Sequence, residues 1–316
     1  MSILRDAFLA MSTNETLHKF IVNFPLSRRV SRRFVAGESL DEAIAVVKKL
    51  NAQGLLVTFD HLGESVTSER EAREAKDDYL RALDAIATNQ VQSQVSVKLT
   101  QMGLGLSADV CLDNLRQILG KAKQSGTFVT IDMEDSKHTQ TTLNIFKTLR
   151  EEFDNVGIVI QSYLYRSEAD IIALRALGAN VRLCKGAYKE PAEVAFPEKT
   201  DVDANYRKLT QVFLQANGKA NGAYLDLATH DEKLIAWAKE FAATNHIARD
   251  RFEFQMLYGI RADLQRQLAH EGYTMRVYVP YGTHWYPYFF PPRGTSGECD
   301  FFGEQPISLI SLISFR

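Results

Sequence analysis

Cysteine is scarce in this chain: Cys111, Cys184 and Cys299 are the only three among 316 residues. An odd number without close spacing argues against a disulfide framework and a cysteine metal site, and a reducing cytoplasm suits it best. Long apolar runs are missing as well. None approaches the ~18 residues that span a bilayer, and the N-terminus lacks the continuous apolar core of a secretory signal. Nor does charge of one sign accumulate. The formal net charge is -2, so nothing global directs the chain to nucleic acid or another polyanion. Three catalytic signatures are absent too. There is no H-E-x-x-H or H-x-H metal spacing, no G-x-S-x-G elbow, and no third glycine after Gly103-Leu104-Gly105 to complete a dinucleotide loop. A resident metal, a serine nucleophile and a Rossmann-bound dinucleotide are therefore not expected.

What is present suits a globular enzyme: 45% hydrophobic and 24% charged residues, enough for one large core. Residues 1–50 read as a helical arm. Leu17, Phe20, Ile21 and Phe24 share one face, and Leu40, Ala43, Ile44 and Val47 share another behind a Ser39/Glu42 capping box. Arg28, Arg29, Arg32 and Arg33 between them read as a solvated face rather than a lipid patch. From residue 54 apolar, β-branched runs alternate with helical stretches. The runs are Leu55–Phe59, Val95–Leu99, Phe128–Ile131, Ile158–Ile160, Val181–Cys184, Tyr224–Leu227, Phe252–Phe254 and Val277–Val279. Eight continuous apolar strands separated by helices predict a parallel (β/α)8 TIM barrel with both faces of the sheet covered; an open doubly wound sheet is the alternative.

The stretch VRLCKGAYKEP, Val181 to Pro191, carries the sharpest signal. Arg182 sits inside an apolar run, and Lys185 follows where the strand ends, so the pair predicts a cationic pocket on a rigid element. Gly186 and Ala187 lack bulk, which would let a flat ligand approach the backbone. Polar residues also close the other strands: Asp60, His61 and Glu64; Lys98, Thr100 and Gln101; Asp132, Glu134 and Asp135; Gln161; Thr229, His230 and Asp231; Gln255; Tyr278 and Tyr281. Some of these serve as helix caps. In a barrel, however, the loops after the strands build the active site. A Schiff-base lysine at Lys98 or Lys185 and a flavin held across the mouth are both open readings.

The segments RRFVAGESLDEA, FDHLGES, VSVKLTQMGL, IDMEDS, RLCKGAYKEP, ATHD, FEFQMLYGIR and RVYVPYGTHWYPY resemble the monofunctional bacterial proline dehydrogenases, from about residue 30 to Tyr288. The resemblance implies a distorted (β/α)8 barrel that binds FAD and oxidises L-proline to Δ1-pyrroline-5-carboxylate. Membrane quinone would accept the electrons, and a pyrroline-5-carboxylate dehydrogenase would act downstream. It further implies a cytoplasmic enzyme, peripheral on the membrane. By motif, Lys98 would pair with the proline carboxylate, with Asp132 fixing it. Met133, Gln161, Arg182, Lys185, Gly186, Ala187, Thr229 and His230 would hold FAD. Leu183, Tyr278 and Tyr288 would wall the proline ring, and Glu64 would be a gate acid. Asp132 and Arg182 are the expected catalytic pair.

After Phe290 the resemblance stops. The family continues its last helix with two carboxylate-binding arginines, whereas here Pro291, Pro292 and a glycine-rich run cannot extend a helix. A permitted codon spelling of Pro291 to Cys299, read one base later, gives Arg-Leu-Ala-Glu-Arg-Pro-Ala-Asn, the family segment. A reading-frame shift accounts for that coincidence. The expected organisation is thus a helical arm over 1–50, a barrel over 51–290 and an aberrant tail over 291–316. A non-catalytic flavoprotein remnant is the alternative that such a tail suggests.

Overall fold

The computed structural model describes residues 32–63, 65–215 and 222–285. Helix α1 (Leu40–Asn51) comes first, followed by β1 (Leu56–His61), α2 (Glu69–Asn89), β2 (Ser93–Val97), α3 (Ala108–Gln124), β3 (Val129–Ile131), α4 (Ser136–Glu152) and β4 (Val156–Gln161). The second half repeats the pattern: α5 (Ser167–Ala176), β5 (Asn180–Cys184), α6 (Lys199–Gln215), β6 (Tyr224–Ala228), α7 (Glu232–Thr244), β7 (Phe252–Leu257), α8 (Ala262–His270) and β8 (Met275–Tyr281). The strands close in sequence order, and β1 pairs in parallel with both β2 and β8. The barrel expectation holds and the open sheet is excluded.

Helix starts follow local chemistry. Ser39, Ser68 and Ser107 sit in extended backbone and each accepts a hydrogen bond from a first-turn N–H. The Ser39/Glu42 motif forms with one change: the Glu42 carboxylate accepts from the Glu38 N–H, one residue before the cap. The buried face of α1 (Ala43, Ile44, Val47 and Leu50) joins the same apolar core as the barrel strands. The Arg28 and Arg29 side chains and the helix expected around Leu17 lie outside the described residues.

The strands differ from the expected apolar runs in one respect. Their outward positions are apolar, as in Val57 and Phe59, Val95 and Val97, or Phe252 and Phe254, and pack beneath the helices. Many of the alternate positions are polar, among them Thr58, Asp60, Ser96, Arg182, Glu253 and Gln255. Arg182 of β5 bonds Ser96 of β2, although those strands are not neighbours, so the bond crosses the barrel interior. The lumen is a charged network rather than stacked layers of branched apolar side chains. Among the described residues no helix is long and apolar enough to cross a membrane.

Candidate active site

Arg182 is fully buried at the centre of this network. Its Nη1 donates to Asp132 Oδ1 at 2.7 Å and to Ser96 Oγ at 3.0 Å, and its Nε donates to Gln255 Oε1 at 2.6 Å. The guanidinium carbon lies 5.2 Å from the centre of the Tyr278 ring, a cation–π contact, while Tyr278 Oη donates to Asp132 Oδ2 at 2.8 Å. Asp132 therefore receives hydrogen bonds from Ser96, Arg182 and Tyr278. Burial pushes its carboxyl above the usual range, against the pull of Arg182 and Lys98.

Lys98 is the second buried cation. Its Nζ stands 3.1 Å from Asp60 Oδ1, which makes Asp60 a direct ion-pair partner, while Lys98 also acts on Asp132 through space. Lys185 is the third, with its Nζ 2.9 Å from Asp203 and 3.0 Å from Asp231. Three cations thus meet four carboxylates. The cationic pocket expected from Arg182 and Lys185 is corrected to a charge-paired one, because an uncompensated buried charge costs several kcal/mol.

The remaining expected residues divide. Gln161 ends β4, and its Nε2 donates to the Met133 carbonyl at 3.3 Å, which places these two together. Thr229 follows β6, and its hydroxyl accepts from the Asp231 N–H. His230 is buried and its Nε2 accepts from the Leu257 N–H at 2.9 Å. That nitrogen is therefore unprotonated, and burial pushes the ring down to about 3. Asp231, not His230, caps α7. Leu183 is not brought to the lumen: as the next residue after Arg182 on a regular strand it faces the opposite side, within the apolar core. Gly186 and Ala187 follow β5, with Gly186 at φ +115, and a Cβ on Gly186 would meet the Tyr163 ring at 2.3 Å. Its lack of bulk serves that ring rather than an open ligand face. The same loop is tied down where Glu190 accepts from Ser136 N and Oγ at the start of α4. Glu64 and Tyr288 lie outside the described residues, as does the whole segment 291–316.

Two contributors, Ser96 and Glu253, escaped the sequence reading, while Asp60 and Gln255 were named there only as polar residues closing their strands. The signal was there in polar residues two apart, Glu253 with Gln255 and Ser96 with Lys98, inside otherwise apolar strands. Among the described residues no group of three or more His, Cys, Asp or Glu could hold a metal ion. The buried polar atoms at this end without a hydrogen-bond partner include Arg182 Nη2, Gln161 Oε1 and Asp60 Oδ2. A donor pair on a fixed cation beside an amide acceptor matches a flat ligand that carries both donors and acceptors, as an isoalloxazine does. The set fits FAD.

Comparison with known proteins gives the family and the fold. The family described as "Proline dehydrogenase" matches residues 43–286. "Proline dehydrogenase 1" of Bacillus subtilis (strain 168) is 48% identical over 287 residues, 91% of this chain and 93% of its own length. "Proline dehydrogenase" of Deinococcus radiodurans is 47% identical over 265 residues, 82% of this chain and 84% of that protein. Among solved structures, proline utilization A (PutA) from Bdellovibrio bacteriovorus, inactivated by N-propargylglycine, superposes with a TM-score of 0.75 at 26% identity. That match covers 85% of this chain and 33% of the longer PutA chain.

Proposed function

This chain belongs to the proline dehydrogenase family and oxidises proline to Δ1-pyrroline-5-carboxylate, and from that premise we propose how its residues do so. FAD, when bound, supplies the acceptor for the hydride that leaves C5 of proline. Arg182 and Gln161 hold it through their unpartnered polar atoms, with Met133, Gly186, Ala187, Thr229 and His230 contributing around them. Lys185 carries charge already balanced by Asp203 and Asp231, so it shapes the floor of the site more than its field. Lys98 binds the substrate carboxylate as a point charge, held for that purpose by Asp60. Asp132 clamps the Arg182 guanidinium, and Tyr278, locked by its bond to Asp132, walls the proline ring. A membrane quinone is the final acceptor.

One observation carries this reading: a buried guanidinium fixed on two sides, with its Nη2 left unpartnered at the end of the barrel where such enzymes work. The Schiff-base alternative loses ground here. Lys98 and Lys185 both sit against carboxylates, which engage the amines that a Schiff base would need free. Anaerobic mixing with L-proline should bleach a yellow flavoprotein. A colourless protein that borohydride traps on a lysine would replace the proposal.

The tail gives the proposal a second part. The family match stops at residue 286, and Pro291 and Pro292 follow where the substrate-clamping arginines stand in the family. We read this tail as the product of a frame shift that leaves the clamp impaired and Glu64 without its gate partner. Each lost charge-assisted hydrogen bond is worth ~1.5–3 kcal/mol, so the proline KM should rise about 100-fold against a chain with the family tail restored. Equal KM values for the two chains would dismiss this part and leave the flavin reading intact.

A further inference from the structure

Beneath Arg182 the polar network continues down the barrel axis. Gln255 Oε1 accepts from Arg182 Nε at 2.6 Å, and Gln255 Nε2 donates to Glu253 Oε1 at 2.7 Å. Arg276 then grips Glu253 with both arms, Nε to Oε1 at 2.6 Å and Nη2 to Oε2 at 3.0 Å, while its Nη1 donates to the Val57 carbonyl. Glu253, Gln255 and Arg182 are 3%, 1% and 0% exposed, so water does not compete for these bonds. The line ends at a cavity of about 330 Å³ at the N-terminal end of the barrel, lined in part by Asn180, Asp226, Glu253 and Arg276.

We propose that Glu253 and Gln255 are positioning residues for the reaction, forming a strut that sets the direction of the Arg182 guanidinium at the opposite end of the barrel. The reasoning is one of donor and acceptor polarity. A primary amide can present either its oxygen or its NH2 to a neighbour. Toward Arg182 only the oxygen serves, because a guanidinium has donors and no acceptor. The Glu253 carboxylate decides the matter: it accepts only, so it takes the NH2 and turns the oxygen upward. Arg276 fixes Glu253 in place through both of its oxygens. Because the guanidinium is planar and rigid, holding Nε with Gln255 and Nη1 with Asp132 leaves a single direction for Nη2. Asp226 stands beside Arg182 in the strand register but bonds Asn180, and so takes no part in this orientation.

The inference rests on Arg182 being a flavin contact, and its test separates the two ideas. The FAD dissociation constant of the apoprotein would be measured by flavin fluorescence for Glu253→Gln and Gln255→Met, each made in the parent and in an Arg182→Met background. Each should weaken FAD about tenfold in the parent. In Arg182→Met each should change it by less than about twofold, since the strut acts only through the missing side chain. The same factor in both backgrounds, or no change in the parent, overturns the proposal. If Glu253→Gln fails to fold, Gln255→Met and the paired Glu253→Met/Arg276→Met replacement carry the test. A second readout needs no cofactor: the Arg182 Nε–H signal in 15N NMR should exchange slowly in the parent apoprotein and rapidly in Gln255→Met. Slow exchange in both overturns the strut, whereas a parent that binds no FAD overturns only the role given to Arg182.

Discussion

At the base of the barrel Glu253 and Arg276 close on one another. Both carboxylate oxygens accept, and Arg276 also reaches the Val57 carbonyl. At the mouth, cations and carboxylates of the same kinds meet differently. Lys98 takes one oxygen of Asp60 and leaves the other without a partner, and Arg182 keeps an unpartnered Nη2. Both ends are buried, and both cost desolvation. The difference is that the base pair spends its bonding capacity internally, while the mouth holds some in reserve. Closed pairs hold a fold in one register; open pairs wait for a ligand.

Breaking the base pair on one side should produce the largest effect. Arg276→Met strands a buried carboxylate and should lower unfolding stability by ~3–5 kcal/mol in urea titrations, with Glu253→Met/Arg276→Met recovering most of it. A small loss in the single variant would erase the distinction between the two ends. Next comes Arg182→Ala, which should weaken FAD binding by about 100-fold and deplete flavin from the purified protein. Unchanged flavin content and reduction potential would mean that the mouth does not hold the cofactor. A different readout is expected from Asp60→Asn: Lys98 loses its ionic anchor, and the proline KM should rise about tenfold. Falling stability with unchanged KM would make Lys98 and Asp60 a structural pair like that at the base.

The smallest effect concerns Asp226, pushed up to about 8 by burial and by the nearby Glu253, against the pull of Arg182 and Arg276. The folded chain then keeps a proton that the unfolded chain releases above the ordinary carboxyl range. The stability tied to that proton is complete at low pH and is lost as pH rises through about 8. Thermal melts of the parent should therefore decline between about pH 5 and 8 more steeply than those of Asp226→Asn. Parallel curves would remove Asp226 as the titrating group.

The barrel was legible because each strand carries an apolar outer stripe and each helix its own period. Ser39 could be placed as a cap from the sequence for the same local reason. Arg182 was legible because a charge inside an apolar run needs a partner. Of its partners, Asp132 was expected with it, but the bonds to Ser96 and Gln255 were not legible, because those residues stand on other strands that only closure of the barrel brings near. Sequence reading named Asp60, Asp132 and Asp231 at the mouth but not the pairing that folding imposes, Lys98 with Asp60 and Lys185 with Asp203 and Asp231. Leu183, expected by motif at the proline ring, neighbours Arg182 along β5 and so faces the other way, into the apolar core.

The two described cysteines carry a practical consequence. Cys111 and Cys184 are buried, their sulfurs point to the carbonyls of Leu99 and Ile160, and burial pushes both thiols up to about 12. Alkylating reagents attack thiolates, so at neutral pH the folded barrel should be silent to them. Any rapid labelling of the native chain then belongs to Cys299, a residue that the frame-restored segment would replace. Stoichiometric thiol counting before and after denaturation becomes a chemical tag for the tail, read without disturbing the flavin site.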